Sequence, residues 1–154
     1  MLELLVTLSL LLSQIQTVLA KEALYTPPVT PITLVLPYKT QIQGIIRYYA
    51  NVYGVDEKLA QDLAEFESNT DPTAHNPDSS AKGIYQFLNG TWHSENCVGE
   101  VLSPNDNIAC AMRVLSGFNG IRHWTADTHT RAFLIENGYV YCYTSKNDSC
   151  YIYK

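Results

Sequence analysis

The 154-residue chain has no run of lysine or arginine, and its 15 Asp and Glu outnumber its 10 Lys and Arg. Phosphate backbones are held by clustered positive charge, so nucleic acid is excluded as the main partner. Cys-x-x-Cys is absent, and His75, His93, His123 and His129 show no ligand spacing. That pattern leaves no metal site and no cofactor to expect. Ser68 is not framed by Gly-x-Ser-x-Gly, the usual setting of a nucleophilic serine. The leading segment carries Glu3 and no basic residue.

What that segment does contain is a short apolar core, Leu4 to Leu12, too short to span a bilayer comfortably. Val18-Leu19-Ala20 then offers small residues where a signal peptidase reads. Residues 1–20 therefore read as an export signal. The apolar stretch extends through Val18-Leu19, so an uncleaved membrane anchor is the alternative. Residues 21–37 include Pro27-Pro28, Pro31 and Pro37 among threonines and valines, the composition of an extended tether. Residues 38–154 remain for one domain, expected to be monomeric and to work outside the cytoplasm. Four cysteines fit that compartment. Pairing Cys97 with Cys110 and Cys142 with Cys150 closes two short loops, each bridge contributing roughly 2–4 kcal/mol. The 11 tyrosines and 2 tryptophans suit a surface that packs against sugar faces.

Two amphipathic helices open the domain. Ile42, Ile45, Ile46, Tyr49 and Tyr53 form the stripe of the first, which Gly54 ends. The second runs from Val55 to Ser68 with Leu59, Leu63 and Phe66 as its buried stripe. Glu67 falls at the edge of that stripe, whereas Glu65 points away from it. A carboxylate against apolar surface loses hydration, its pKa rises, and it can hold a proton near neutral pH, as a general acid must. The competing reading is a helix-end glutamate that bends out to solvent.

A polar loop from Asn69 to Ser80 precedes Ile84-Tyr85-Gln86-Phe87, whose short period predicts a strand or hairpin arm with Gln86 facing away from Tyr85 and Phe87. Ser103-Pro104-Asn105-Asp106 is a helix start, and Ile108, Met112 and Leu115 are that helix's core face. The tail alternates Tyr139, Tyr141 and Tyr143 before Asn147-Asp148, with Tyr151 and Tyr153 after it, and predicts a hairpin clipped by Cys142–Cys150.

Glu67-Ser68, then a loop, then Gly83-Ile84-Tyr85-Gln86 and Thr91-Trp92 resemble the signature of the lytic transglycosylase and goose-type lysozyme superfamily. Tyr53-Gly54-Val55-Asp56 looks like that family's entry into the catalytic helix, and the resemblance extends over residues 40–124. It implies a mainly α, lysozyme-like α+β domain with a small β-hairpin at the cleft, to which the C-terminal hairpin is an addition. It implies that Glu67 is catalytic and that Ser68, Tyr85, Gln86, Asn107 and Phe118 contact substrate, Asn107 with a structural role first. Gly117-Phe118-Asn119-Gly120 stands where the family carries Ala-Tyr-Asn-Ala-Gly, with phenylalanine in place of tyrosine and a shorter spacing. The tyrosine hydroxyl is then supplied elsewhere, by Tyr85 or Tyr139, or is lacking.

The activity so implied is cleavage of the MurNAc–GlcNAc β-1,4 bond of peptidoglycan strands. In the family one glutamate serves both proton transfers, the substrate's acetamido group assists, and the muramic 6-hydroxyl attacks to leave a 1,6-anhydro end. Water in its place would give a lysozyme. The second carboxylates to consider are Asp71, Asp78 and Asp106; Asp71 serves the turn before Pro72 and Asp106 its helix start, which leaves Asp78 for any water. A reading of another class is a non-catalytic glycan-binding or structural descendant, which Phe118 favours.

Overall fold

The computed structural model describes residues 37–142 and 150–152. Residues 1–36, where an export signal and a tether are expected, and the tail residues Tyr143, Asn147-Asp148 and Tyr153 lie outside them. Helix α1 (Tyr38–Tyr53) buries Ile42, Ile46 and Ala50, while Ile45, Tyr49 and Tyr53 pack half-buried against the same core. Gly54 ends it in the left-handed conformation at φ 68° and returns its N–H to the Ala50 carbonyl.

Helix α2 (Glu57–Ser68) starts at Asp56, whose carboxylate accepts the Leu59 N–H at 2.7 Å. Its buried face is Leu59, Ala60, Leu63 and Ala64. Phe66, expected on that stripe, is instead 44% exposed and stacks on Phe133 with ring centroids 4.3 Å apart. The two alanines widen the apolar arc and rotate its centre away from Phe66. At about 100° per residue the centre falls on Glu67 and leaves Glu65 on the opposite side. Glu65 is accordingly exposed and pairs with Lys39 at 2.7 Å.

Short helix α3 (Asn89–Ser94) opens two residues before Thr91 and buries Trp92. Helix α4 (Pro104–Ser116) begins as its sequence predicts, with the Ser103 hydroxyl accepting the Asp106 N–H and Pro104 in the first turn. Ile108, Met112 and Leu115 are buried along it, and α4 packs across α1. Helices α5 (Arg122–Thr125) and α6 (Thr128–Glu136) follow, and β1 (Val140–Cys142) pairs antiparallel with β2 (Cys150–Ile152). In this hairpin Tyr141 lies opposite Tyr151 and stacks on it. The architecture is mainly α with that two-stranded sheet.

Residues 84–87 do not form an extended arm. Lys82 and Phe87 make a single antiparallel bridge around a tight turn in which Gly83 has φ 74° and Gln86 φ 49°. The turn folds over because Tyr85 is drawn into the core: its ring is fully buried and its hydroxyl donates to the Ala60 carbonyl at 2.8 Å. Gly83 is required there for space as well, since a Cβ would lie 2.5 Å from Asn107 Nδ2 and 2.6 Å from the Val101 carbonyl oxygen.

Both expected disulfides are present, Cys97–Cys110 and Cys142–Cys150. The first ties the loop after α3 to the buried side of α4. Replacing Cys97 and Cys110 together with alanine is expected to lower stability by about 3 kcal/mol, the loop-entropy value for a closure of this length. Urea unfolding of the wild type and the double variant measures it; a midpoint that does not move would show that the bridge restricts nothing the fold does not already restrict.

Candidate active site

A cleft of about 490 Å³ runs between the end of α2, the segment around residues 76–91, and the α5–α6 corner. Glu67 lies in its wall, half-buried, because the middle of the apolar arc of α2 meets open space only at the last turn of the helix. Its Oε1 accepts the Thr130 hydroxyl at 2.8 Å. Thr130 is buried in the first turn of α6, and that turn is capped by Asp127, whose Oδ1 accepts the N–H groups of His129 and Thr130 at 2.9 Å each. Asp127 also lines the cleft.

Loss of hydration drives the Glu67 pKa from its ordinary 4.5 up to about 7; the Thr130 hydroxyl works against that rise and the Asp127 charge adds to it. Asp127 is held below the usual carboxylate range, first by the Thr130 backbone N–H, so it is ionised where Glu67 is protonated. Two carboxylates whose environments push them apart are an acid and an anion. The rest of the wall is mixed: Phe66 and Leu88 offer exposed apolar surface, and Gln86, Asn76 and Thr91 offer polar groups.

A family profile for the transglycosylase SLT domain matches residues 44–126. The chain belongs to that family. No curated protein and no solved structure matches it. Domains of this family cleave peptidoglycan, so a glycan strand is the substrate class of this transglycosylase domain.

Of the residues expected to touch substrate, Glu67, Gln86 and Tyr85 line the cleft, Tyr85 with its side chain turned away into the core. The Gln86 amide donates to the Gly83 carbonyl at 2.8 Å and thus braces its own turn. Ser68 donates to the carbonyls of Ala64 and Ile84, at 3.2 and 2.8 Å, and so joins the end of α2 to the turn rather than reaching into the open cleft.

Three expectations are corrected. The Tyr85 side chain is fully buried on the core side, so its hydroxyl is spent on Ala60. Asn107 is buried too, accepting the Tyr85 N–H at 3.0 Å and donating to the Val101 carbonyl at 2.8 Å, which leaves it only its structural role. Phe118 is 92% exposed on the turn after α4 and is not part of the cleft wall. Tyr139 is no substitute, since its hydroxyl donates to Asp62 and accepts from Lys58 on another face of α2. Asp78 is exposed outside the cleft wall, Asp71 binds Thr73, and Asp106 accepts the Glu100 N–H.

Asp127 and Thr130 are what sequence reasoning missed. Asp127-Thr128-His129-Thr130 does carry a signal, an acidic cap followed by a helix turn. Nothing local announces that Thr130 meets a glutamate 63 residues earlier in the chain.

The raised Glu67 pKa is also a statement about stability. Between pH 4.5 and about 7 the folded chain keeps a proton that the unfolded chain releases, so this residue makes stability fall as pH rises through that window. The total is on the order of 3 kcal/mol. Glu67→Gln, which mimics the protonated form, is therefore expected to raise the melting temperature at pH 8 and to leave it nearly unchanged at pH 4. Thermal unfolding at the two pH values measures this, and an equal shift at both would mean that Glu67 is not held neutral by the fold.

Proposed function

We propose that this domain is exported and cleaves the MurNAc–GlcNAc β-1,4 bond of peptidoglycan with Glu67 as its one acid and base, releasing 1,6-anhydro-muropeptides. The observation that carries the proposal is Glu67 itself: half-buried in the cleft wall, bound by Thr130, and protonated up to about pH 7. The Glu67 proton goes to the bridging oxygen as the bond to muramic C1 breaks. The acetamido oxygen of the same sugar closes on C1 and carries the developing positive charge. The muramic 6-hydroxyl then attacks C1, opens that ring and returns its proton to Glu67, so atoms and charge balance over the cycle. Phe66, exposed at the rim and backed by Phe133, offers a flat apolar face for a pyranose ring.

The hydrolytic alternative has one observation in its favour, the carboxylate of Asp127 in the same cleft. Two features argue against Asp127 as the base for a water. Its Oδ1 accepts two backbone N–H groups, and its pKa is depressed, which makes it a weak base. The 6-hydroxyl, by contrast, is tethered to the reacting sugar and has a high effective concentration. A non-catalytic descendant has less support: a half-buried carboxylate of raised pKa is destabilising to keep, and only a need for its proton explains it.

Digestion of purified sacculi in heavy-oxygen water, followed by mass spectrometry, tests both parts. The expected products are anhydro-muropeptides without label, and predominant label at muramic reducing ends would assign the protein to the hydrolases. Glu67→Gln is expected to remove nearly all turnover while Glu65→Gln, on the far side of α2, leaves it close to wild type. Near-normal turnover by Glu67→Gln would end the catalytic assignment. Phe66→Ala is expected to raise KM with kcat little changed.

A further inference from the structure

The N-terminal turn of α6 presents two groups to the catalytic carboxyl, and they act in opposite senses. The Thr130 hydroxyl touches Glu67 Oε1 at 2.8 Å, and the Asp127 carboxylate, fixed by the N–H groups of His129 and Thr130, lies in the same cleft wall. We propose that Asp127 and Thr130 form a positioning pair for Glu67, the hydroxyl orienting the carboxyl and the fixed anion standing in the same cleft wall, joined to it through Thr130. This rests on the reading of Glu67 as the general acid.

The geometry makes the pair rigid. The same Thr130 residue gives its backbone N–H to Asp127 and its hydroxyl to Glu67, so one buried residue sets the place of both carboxylates. The hydroxyl favours the ionised form of Glu67 and the anion disfavours it. The balance is local. The other titratable groups of the cleft wall are His123, whose Nε2 lies 2.7 Å from Glu95 Oε1, and the fully buried Tyr85. His129 bears on Asp127, while the wall residues between 76 and 91, Tyr85 aside, carry no titratable side chain. On α2 itself, Glu65 is turned away toward Lys39.

Two substitutions separate the senses. Asp127→Asn removes the charge and keeps the helix cap, because asparagine caps as well as aspartate. Thr130→Val removes the hydroxyl at nearly constant volume. Carbon-13 titration of the Glu67 carboxyl in the folded protein should show its midpoint moving to lower pH in Asp127→Asn and to higher pH in Thr130→Val. The alkaline limb of the kcat/KM profile on sacculi should move the same two ways, since the acid must be protonated. Thr130→Val should also lose roughly tenfold in kcat, the upper worth of one hydrogen bond between neutral groups, and Thr130→Ser should restore most of it.

Shifts of one sign in both variants, or none in either, overturn the pair. So does an Asp127→Asn that abolishes turnover at every pH without moving the Glu67 midpoint, because Asp127 is then a base in its own right. The carboxyl titration needs no substrate. Opposite shifts in a protein that cuts no sacculi would uphold the pair and defeat only the proposed activity.

Discussion

Three helices meet on the peptide unit and ring of one residue, Tyr85. Its N–H is taken by Asn107 of α4, its carbonyl receives the Trp124 indole N–H of α5 at 3.0 Å, and its hydroxyl reaches the Ala60 carbonyl of α2. The Ser68 hydroxyl adds a bond to the carbonyl of the preceding residue, Ile84. Burial raises the Tyr85 phenol well above its ordinary pKa and so favours the neutral donor. The cleft depends on this junction. It fixes the end of α2, which carries Glu67, against the turn that carries Gln86 and against the α5–α6 corner. A buried network satisfied at every atom is rigid, and rigidity is what a proton donor needs if it is to meet one oxygen of a long polymer.

The position of Glu67 follows from the composition of α2 rather than from any special bend. Ala60 and Ala64 extend the apolar arc so that its middle continues into Glu67, and the helix reaches the cleft one turn after its last buried leucine. A shorter arc centred on Leu59, Leu63 and Phe66 would have buried the phenylalanine and left the carboxylate at the margin. Instead Phe66 stands at the rim, where its ring is exposed on one side and stacked on the other. The same rotation that desolvates the acid therefore provides an aromatic surface beside it.

How much of this was legible in the chain depends on the range of the interaction concerned. The helix starts at Asp56 and Ser103, the glycine stop at Gly54 and both short-loop disulfides are decided by residues close in sequence, and they can be read there. The side of α2 on which Glu67 lies is also local, although counting only large apolar residues misplaces the arc. The turn at residues 83–86 was misread because alternation describes an exposed surface, while Tyr85 answers to a carbonyl 25 residues away. Asn107 and Tyr85 resemble substrate contacts in the sequence for a related reason: a residue that holds the site together and one that touches the ligand leave the same mark in a sequence motif. Thr130 was out of reach altogether, since its role exists only in the contact.

The turn after α4 is governed by one close backbone approach. A Cβ on Gly120 would lie 1.7 Å from the Val114 carbonyl oxygen, so the turn after α4 closes directly on the helix backbone. Phe118, on that turn, faces solvent. The cleft wall around Glu67 is completed by the next elements, α5 and the start of α6. Ile121 and Trp124 pack into the core there, and the Asp127 cap starts a new helix beside the Glu67 carboxyl. A helix start bonds its first N–H groups to the cap and turns its side chains toward the preceding chain. Thr130, in that first turn, meets the Glu67 carboxyl from 63 residues away in the chain. Its hydroxyl is buried and its own backbone N–H is bound to the Asp127 cap, so the contact is held by the same turn that the cap begins.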